Sequence, residues 1–132
     1  MDDLLPGTPL RRTITTTGDE TVVGVSPEID VTNANYLRAT LRDELALHPR
    51  ALIVDLTTVT FCSARGLGVL AETARTAEET GVVCFFATQQ RALLRPLHLL
   101  GLDRVLRVVK TVPDALNLIA AAQATPFPRQ PR

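Results

Sequence analysis

The stretch ALIVDLTTVTFCSARGLGVL, residues 51–70, decides the fold. Ala51 to Leu56 is a short continuous apolar run, the pattern of a strand covered on both faces and therefore central in its sheet. A polar turn with one aromatic, Phe61, follows. From Ala64 the spacing becomes helical, with Leu67, Leu70, Ala71, Ala74 and Ala77 on one side, and the pattern stops at Gly81, a glycine placed to end a helix. A buried strand that feeds a crossover helix is the unit of a parallel sheet.

Working outward, Val82 to Ala87 reads as the next buried strand. Gln89 to Leu100 is a leucine-rich helical pattern stopped by Gly101, and Pro96 inside it predicts a kink or a start near the proline. Arg104 to Val109 reads as a further strand, and Val112 to Ala124, with Pro113 in its first turn, as a last helix. Upstream, Ala34, Leu37, Leu41 and Leu45 recur at helical spacing as far as Pro49, with Thr32 or Asn33 placed to cap. Before that, Arg11 to Thr17 and the β-branched run Thr21 to Val25 flank Gly18-Asp19 as a hairpin, and Pro27 stops the second strand. The order is β-β-α-β-α-β-α-β-α. It predicts an α/β fold with a mixed sheet, antiparallel at its N-terminal edge and otherwise mainly parallel, with about four helices. The proline-rich ends, 1–10 and 125–132, read as flexible tails around one domain at 11–124.

Composition narrows the function classes. A chain of 132 residues has the length of one domain, and 45% hydrophobic with 21% charged residues excludes global disorder. Fourteen basic and fourteen acidic residues cancel, so no broad field draws the chain to nucleic acid or an anionic membrane. The N-terminus lacks a basic segment followed by an apolar one, and no run approaches the roughly 18 apolar residues of a membrane span. A cytoplasmic location is expected. Cys62 and Cys84 sit among apolar residues without CxxC spacing and read as buried free thiols, with no disulfide framework or zinc site.

In a sheet of this kind function gathers where strand ends face helix N-termini, which here means the segment from Asp55 to Gly66. Gly66, Gly68 and Ala71 spell GxGxxA, but about ten residues separate Leu56 from Gly66, too many for the tight turn of a dinucleotide fingerprint. Small residues packing a helix against the sheet explain them better. There is no P-loop and no GxSxG elbow, and neither His48 nor His98 lies on a strand-end loop beside a nucleophile. Asp30 and Asp55 fall at strand ends, where paired carboxylates could meet and where turn and capping duties are equally natural.

These residues resemble the STAS domains of anti-sigma factor antagonists. The family signature runs approximately Asp-Leu-Ser-x-Val-x-Phe-(Met or Cys)-Asp-Ser-(Ser/Thr)-Gly-Leu, and Asp55, Leu56, Thr57, Val59, Phe61, Cys62, Gly66 and Leu67 stand in register with it. Pro27-Glu28-Ile29-Asp30 is similar to the family's Gly-Glu-(Leu/Ile)-Asp, and Leu99-Leu-Gly-Leu-Asp103 to its Leu-x-Gly-Leu segment. The resemblance covers about 11–120.

It implies a protein without catalytic residues, cofactor or metal, which docks onto an anti-sigma factor, commonly a serine kinase with a GHKL-type ATP site, and frees a sigma factor. It implies a docking surface at Ser26, Glu28 and Asp30 and at Phe61, Ser63, Ala64, Arg65 and Gly66. In the family, a serine at the start of the second helix accepts phosphate from the kinase and docking is switched off, as added charge on a closely apposed surface would do. Here the family's Asp falls on Ser63, the acceptor serine on Ala64 and the next Ser/Thr on Arg65. Three readings follow: a constitutively competent antagonist, an acceptor moved to Ser63, or a STAS subunit of another signalling or transport assembly. A small-ligand or nucleotide sensor using the same helix start is the alternative from another class. Ser63 also fits an N-cap. Arg65 reads either as a solvated first-turn residue or as a contact to a partner carboxylate or phosphate, since a cation near the positive helix end costs about 0.3–1 kcal/mol.

Overall fold

The computed structural model describes residues 10–124. The expected tails lie outside these residues, except that Leu10, counted with the first tail, packs against the core. In chain order the elements are β1 (Arg11–Thr17), β2 (Glu20–Ser26), β3 (Glu28–Ile29), α1 (Ala34–Ala46), β4 (Ala51–Asp55), β5 (Phe61–Cys62), α2 (Ala64–Thr80), β6 (Val83–Ala87), α3 (Arg91–Leu99), β7 (Val108–Val109) and α4 (Val112–Ala124). The main sheet has the order β1-β2-β4-β6-β7, with β1 antiparallel to β2 and every other pairing parallel. The expected mixed α/β sheet with four helices is the one observed.

The pleat sorts the core into two layers. Val23, Val25, Leu52, Val54, Cys84 and Phe86 face α1, α2 and α3, whereas Ala51, Ile53 and Phe85 face Ala115 and Ile119 of α4. Successive strand residues thus point to opposite, equally dry faces, which is why β4 and β6 carry uninterrupted apolar runs. Cys62 and Cys84 are buried free thiols, as the sequence indicates.

Two local expectations are corrected, and one element was not anticipated. Arg104 to Val109 is mostly not strand: a 3₁₀ turn at Leu102–Arg104 leads to the buried Leu106, and only Val108–Val109 pairs with β6. α3 does not start at Pro96 but runs through it from Arg91 to Leu99. The unanticipated element is the small second sheet, in which β3 pairs in parallel with β5. Segments of two residues carry no periodicity by which a sequence could announce them. Among the described residues no helix is long and apolar enough to cross a membrane.

Candidate functional site: the rim at the start of the second helix

The carboxyl ends of the parallel strands and the N-termini of α2 and α3 share one rim. Its scaffold is the clip between β3 and β5, where Glu28 stands opposite Phe61 and Ile29 opposite Cys62. The Thr60 amide donates to the Pro27 carbonyl at 2.8 Å and the Ser63 amide to the Ile29 carbonyl at 2.8 Å, which closes the clip at both ends. Ile29 is fully buried beneath it.

Local polar geometry fixes each strand end. The Asp30 Oδ1 atom accepts the Thr32 amide at 2.9 Å, the Thr32 hydroxyl at 2.6 Å and the Asn33 amide at 3.0 Å. The Ala34 amide donates to the Asp30 carbonyl at 3.1 Å, so the helical turn leading into α1 starts at Asp30. Asp30 therefore does the capping expected of Thr32 or Asn33. Asn33 reaches backwards instead, its Oδ1 accepting the Asp30 amide at 2.9 Å and its Nδ2 donating to the Glu28 carbonyl at 2.9 Å. At the end of β4, Asp55 Oδ1 accepts the Thr57 amide at 3.0 Å and its hydroxyl at 2.6 Å. Each carboxylate thus closes its own Asx turn, and the alternative of a carboxylate pair gains no support from this geometry.

Ser63 is the N-cap of α2: its Oγ accepts the Gly66 amide at 3.1 Å, satisfying one of the donors that a helix start leaves over. Gly66 is buried, and a Cβ there would lie 2.6 Å from Ile29 Cγ2 and 2.8 Å from Cys62 Sγ. Of the two glycines in the GxGxxA run, Gly66 alone has the close-packing role; around a Cβ at Gly68 there is nothing within 4 Å. Among the expected docking residues Gly66 therefore lies beneath the surface, Ser26, Glu28, Asp30 and Ser63 are half-buried, and Phe61, Ala64 and Arg65 are exposed. Phe61 keeps 48% of its surface open although it belongs to a strand. The Arg65 guanidinium extends to Asn35 Oδ1 at 3.4 Å.

One contributor escaped the sequence reading. The Gln90 side-chain amide donates to the Thr57 carbonyl at 3.0 Å, tying the start of α3 to the β4–β5 loop, and α3 packs on β5. Neither histidine takes part in the rim: His48 is exposed beyond the end of α1, and His98, near the far end of α3, meets Asp103 at 3.0 Å. Burial pushes the Cys62 thiol up to about 12, so the sulfur beneath the rim is an apolar packing group rather than a thiolate nucleophile. No group of side chains among the described residues could hold a metal ion.

Comparison with known proteins adds three relatives to this geometry. The family model described as STAS domain matches residues 11–115. An anti-sigma-F factor antagonist of Mycobacterium tuberculosis, RsfB, is 36% identical over 98 residues, which span 73% of this chain and 78% of the relative. The crystal structure of an anti-sigma factor antagonist from Mycobacterium paratuberculosis superposes with a TM-score of 0.78 at 32% identity, covering 85% of this chain and 95% of the other. A putative anti-sigma factor antagonist from Thermotoga maritima shares the fold with a TM-score of 0.73 at 21% identity, over 83% of this chain and 94% of the other.

Proposed function

The chain belongs to the STAS domain family and is of its anti-sigma factor antagonist type, a non-enzymatic regulator, and from that premise we propose that it docks onto an anti-sigma factor of the GHKL serine-kinase type through the rim and is constitutively competent to do so. The observation that carries this reading is the start of α2. Ala64, exposed at the family's acceptor position, has no oxygen with which to take a phosphoryl group, and the neighbouring Ser63 hydroxyl is half-buried and engaged with the Gly66 amide.

Docking then depends on a rigid, preformed surface. Phe61 offers the apolar anchor, Arg65 the exposed charge, and the half-buried Ser26, Glu28 and Asp30 flank them on the β2–β3 side. Such a surface binds without first ordering itself, which lowers the entropic cost of association. A phosphate would bring about −1.5 to −2 charges into this contact; without an acceptor at residue 64, that brake is missing.

The test is to purify the anti-sigma factors encoded in the same genome, titrate each calorimetrically with this chain, and incubate the binding pair with ATP before intact-mass analysis. One anti-sigma factor should bind, and the chain should keep its unmodified mass. Phosphate on Ser63 would refute constitutive competence, and absence of binding to every anti-sigma factor would refute the docking reading itself.

A further inference from the structure

Three arginines stand where helix electrostatics disfavours them. Arg65 lies in the first turn of α2 and Arg91 begins α3, and neither first turn contains an acidic residue. Each faces the positive end of its own helix macrodipole. Arg95 follows Arg91 at i+4 on the same face, where like charges repel. All three are exposed, and among the described residues none forms an ion pair, whereas Arg38 and Arg42 share Glu72 and Arg50 meets Asp19.

The two helix starts are linked through one run of backbone. The Gln90 bond to Thr57 holds the start of α3 beside the loop that leads into β5, and β5 leads through Ser63 into α2. Gln89, Arg91, Leu94 and Arg95 line one shallow depression on α3. Leu94 is 38% exposed there, and Phe61, from the strand α3 packs on, is 48% exposed. The rim is thus divided. Its β3 side carries Glu28 and Asp30, with the Arg65 guanidinium 3.4 Å from Asn35 Oδ1 of α1, and its α3 side carries Arg91, Arg95 and Leu94, while Phe61 lies on the strand that pairs with β3 and packs on α3.

We infer that the rim from the start of α2 across β5 to α3 receives an acidic segment of the partner protein, one with carboxylates spaced to meet Arg65 at one end and Arg91 and Arg95 at the other, and an apolar side chain set between them against Phe61 and Leu94. This rests on the docking reading above and adds to it the partner's charge and the participation of α3. Carboxylates from outside would relieve the strain that the chain's own composition leaves at both helix starts, and the guanidinium fork suits them bidentately.

The test has two arms. In the first, the ¹⁵N-labelled chain is titrated at low salt with a synthetic Glu-Leu-Glu-Glu-Phe-Glu peptide and with its Gln-for-Glu counterpart, and amide shifts are mapped. Shifts should concentrate at 61–66 and 89–95 for the acidic peptide and vanish in R65E/R91E. Equal shifts with the neutral peptide, or shifts centred elsewhere, overturn the inference. In the second arm, the anti-sigma factor that binds wild type is titrated with R65E, R65E/R91E and R75E, the last a charge-matched control for R65E ten residues further along α2. The double variant should bind at least tenfold more weakly and with a flatter salt dependence, R75E as wild type, all with unchanged circular dichroism. Full binding by R65E/R91E would sink the acidic-segment inference and leave the docking reading standing. No binding by any anti-sigma factor, together with correct mapping of the acidic peptide, would do the reverse.

Discussion

Gly66 and Gly68 lie two residues apart in α2, and replacing each by alanine should change stability in opposite directions. In a helix interior the change from glycine to alanine gains about 1 kcal/mol through the unfolded chain's lost freedom. At Gly68 nothing opposes this, because nothing lies within 4 Å of the added Cβ. At Gly66 the Cβ arrives 2.6 Å from Ile29 Cγ2, 2.8 Å from Cys62 Sγ and 3.3 Å from Ile29 Cβ. Ile29 is β-branched, fully buried and held in the clip by the bond from Ser63 to its carbonyl, so it has little room to turn away. Overpacking of this kind costs about 1–3 kcal/mol, which leaves G66A less stable than wild type by about 1 kcal/mol once the propensity gain of about 1 kcal/mol is subtracted. The two variants should differ by about 2 kcal/mol, or about 1 M in urea midpoint. Equilibrium urea unfolding followed by far-ultraviolet circular dichroism reads this directly. A G66A variant as stable as G68A would mean that the clip yields freely, and the account of a rigid rim would fail with it.

The two caps can be tested in the same assay: S63A should lose about 1 kcal/mol and S63D little, and D30A, which removes the acceptor for the Thr32 and Asn33 amides, about 1–2 kcal/mol. The thiols predict an alkaline limb. Burial pushes Cys62 and Cys84 up to about 12, with Arg107 pulling partly back at Cys84. Unfolded thiols ionise from about pH 8.5, so their contribution is fully present below that pH and is lost as pH rises toward the folded value. Urea midpoints should fall between about pH 8.5 and 10 in wild type and fall less in C62A/C84A; identical limbs would show that the thiols are not desolvated.

How much of this was legible in the sequence depends on how far apart the cooperating residues lie. β4, α2 and β6 were readable because continuous burial and helical spacing are each written within about a dozen residues. The clip was not, because β3 and β5 are two residues each and exist only through pairing with one another across the whole of α1 and β4. The apolar run from Val105 to Val109 looks like a strand, but Leu106 is drawn into the core from a turn and only two residues reach the ladder. Within the site, Ser63 was readable as a cap because its bond is local. The part played by α3 was not, since it hangs on a contact from Gln90 to Thr57 that no spacing rule encodes.

The rim separates two kinds of residue, and the separation has a measurable consequence. Ile29, Asp30, Ser63 and Gly66 build the surface through buried contacts or backbone hydrogen bonds, so the fold constrains them. Ala64 and Arg65 face outward, and among the described residues the side chain of Arg65 has only a 3.4 Å contact with Asn35 Oδ1. Exposed substitutions of this kind usually change stability by no more than about 0.5 kcal/mol. A64S and R65E should therefore unfold within that margin of wild type, with R65E if anything gaining from the helix dipole. If so, the identity of these two residues is set by what meets the rim rather than by what holds it together. If either variant were destabilised by about 2 kcal/mol, residues 64 and 65 would belong to the scaffold, and the departure from the family pattern at this place would say nothing about the partner.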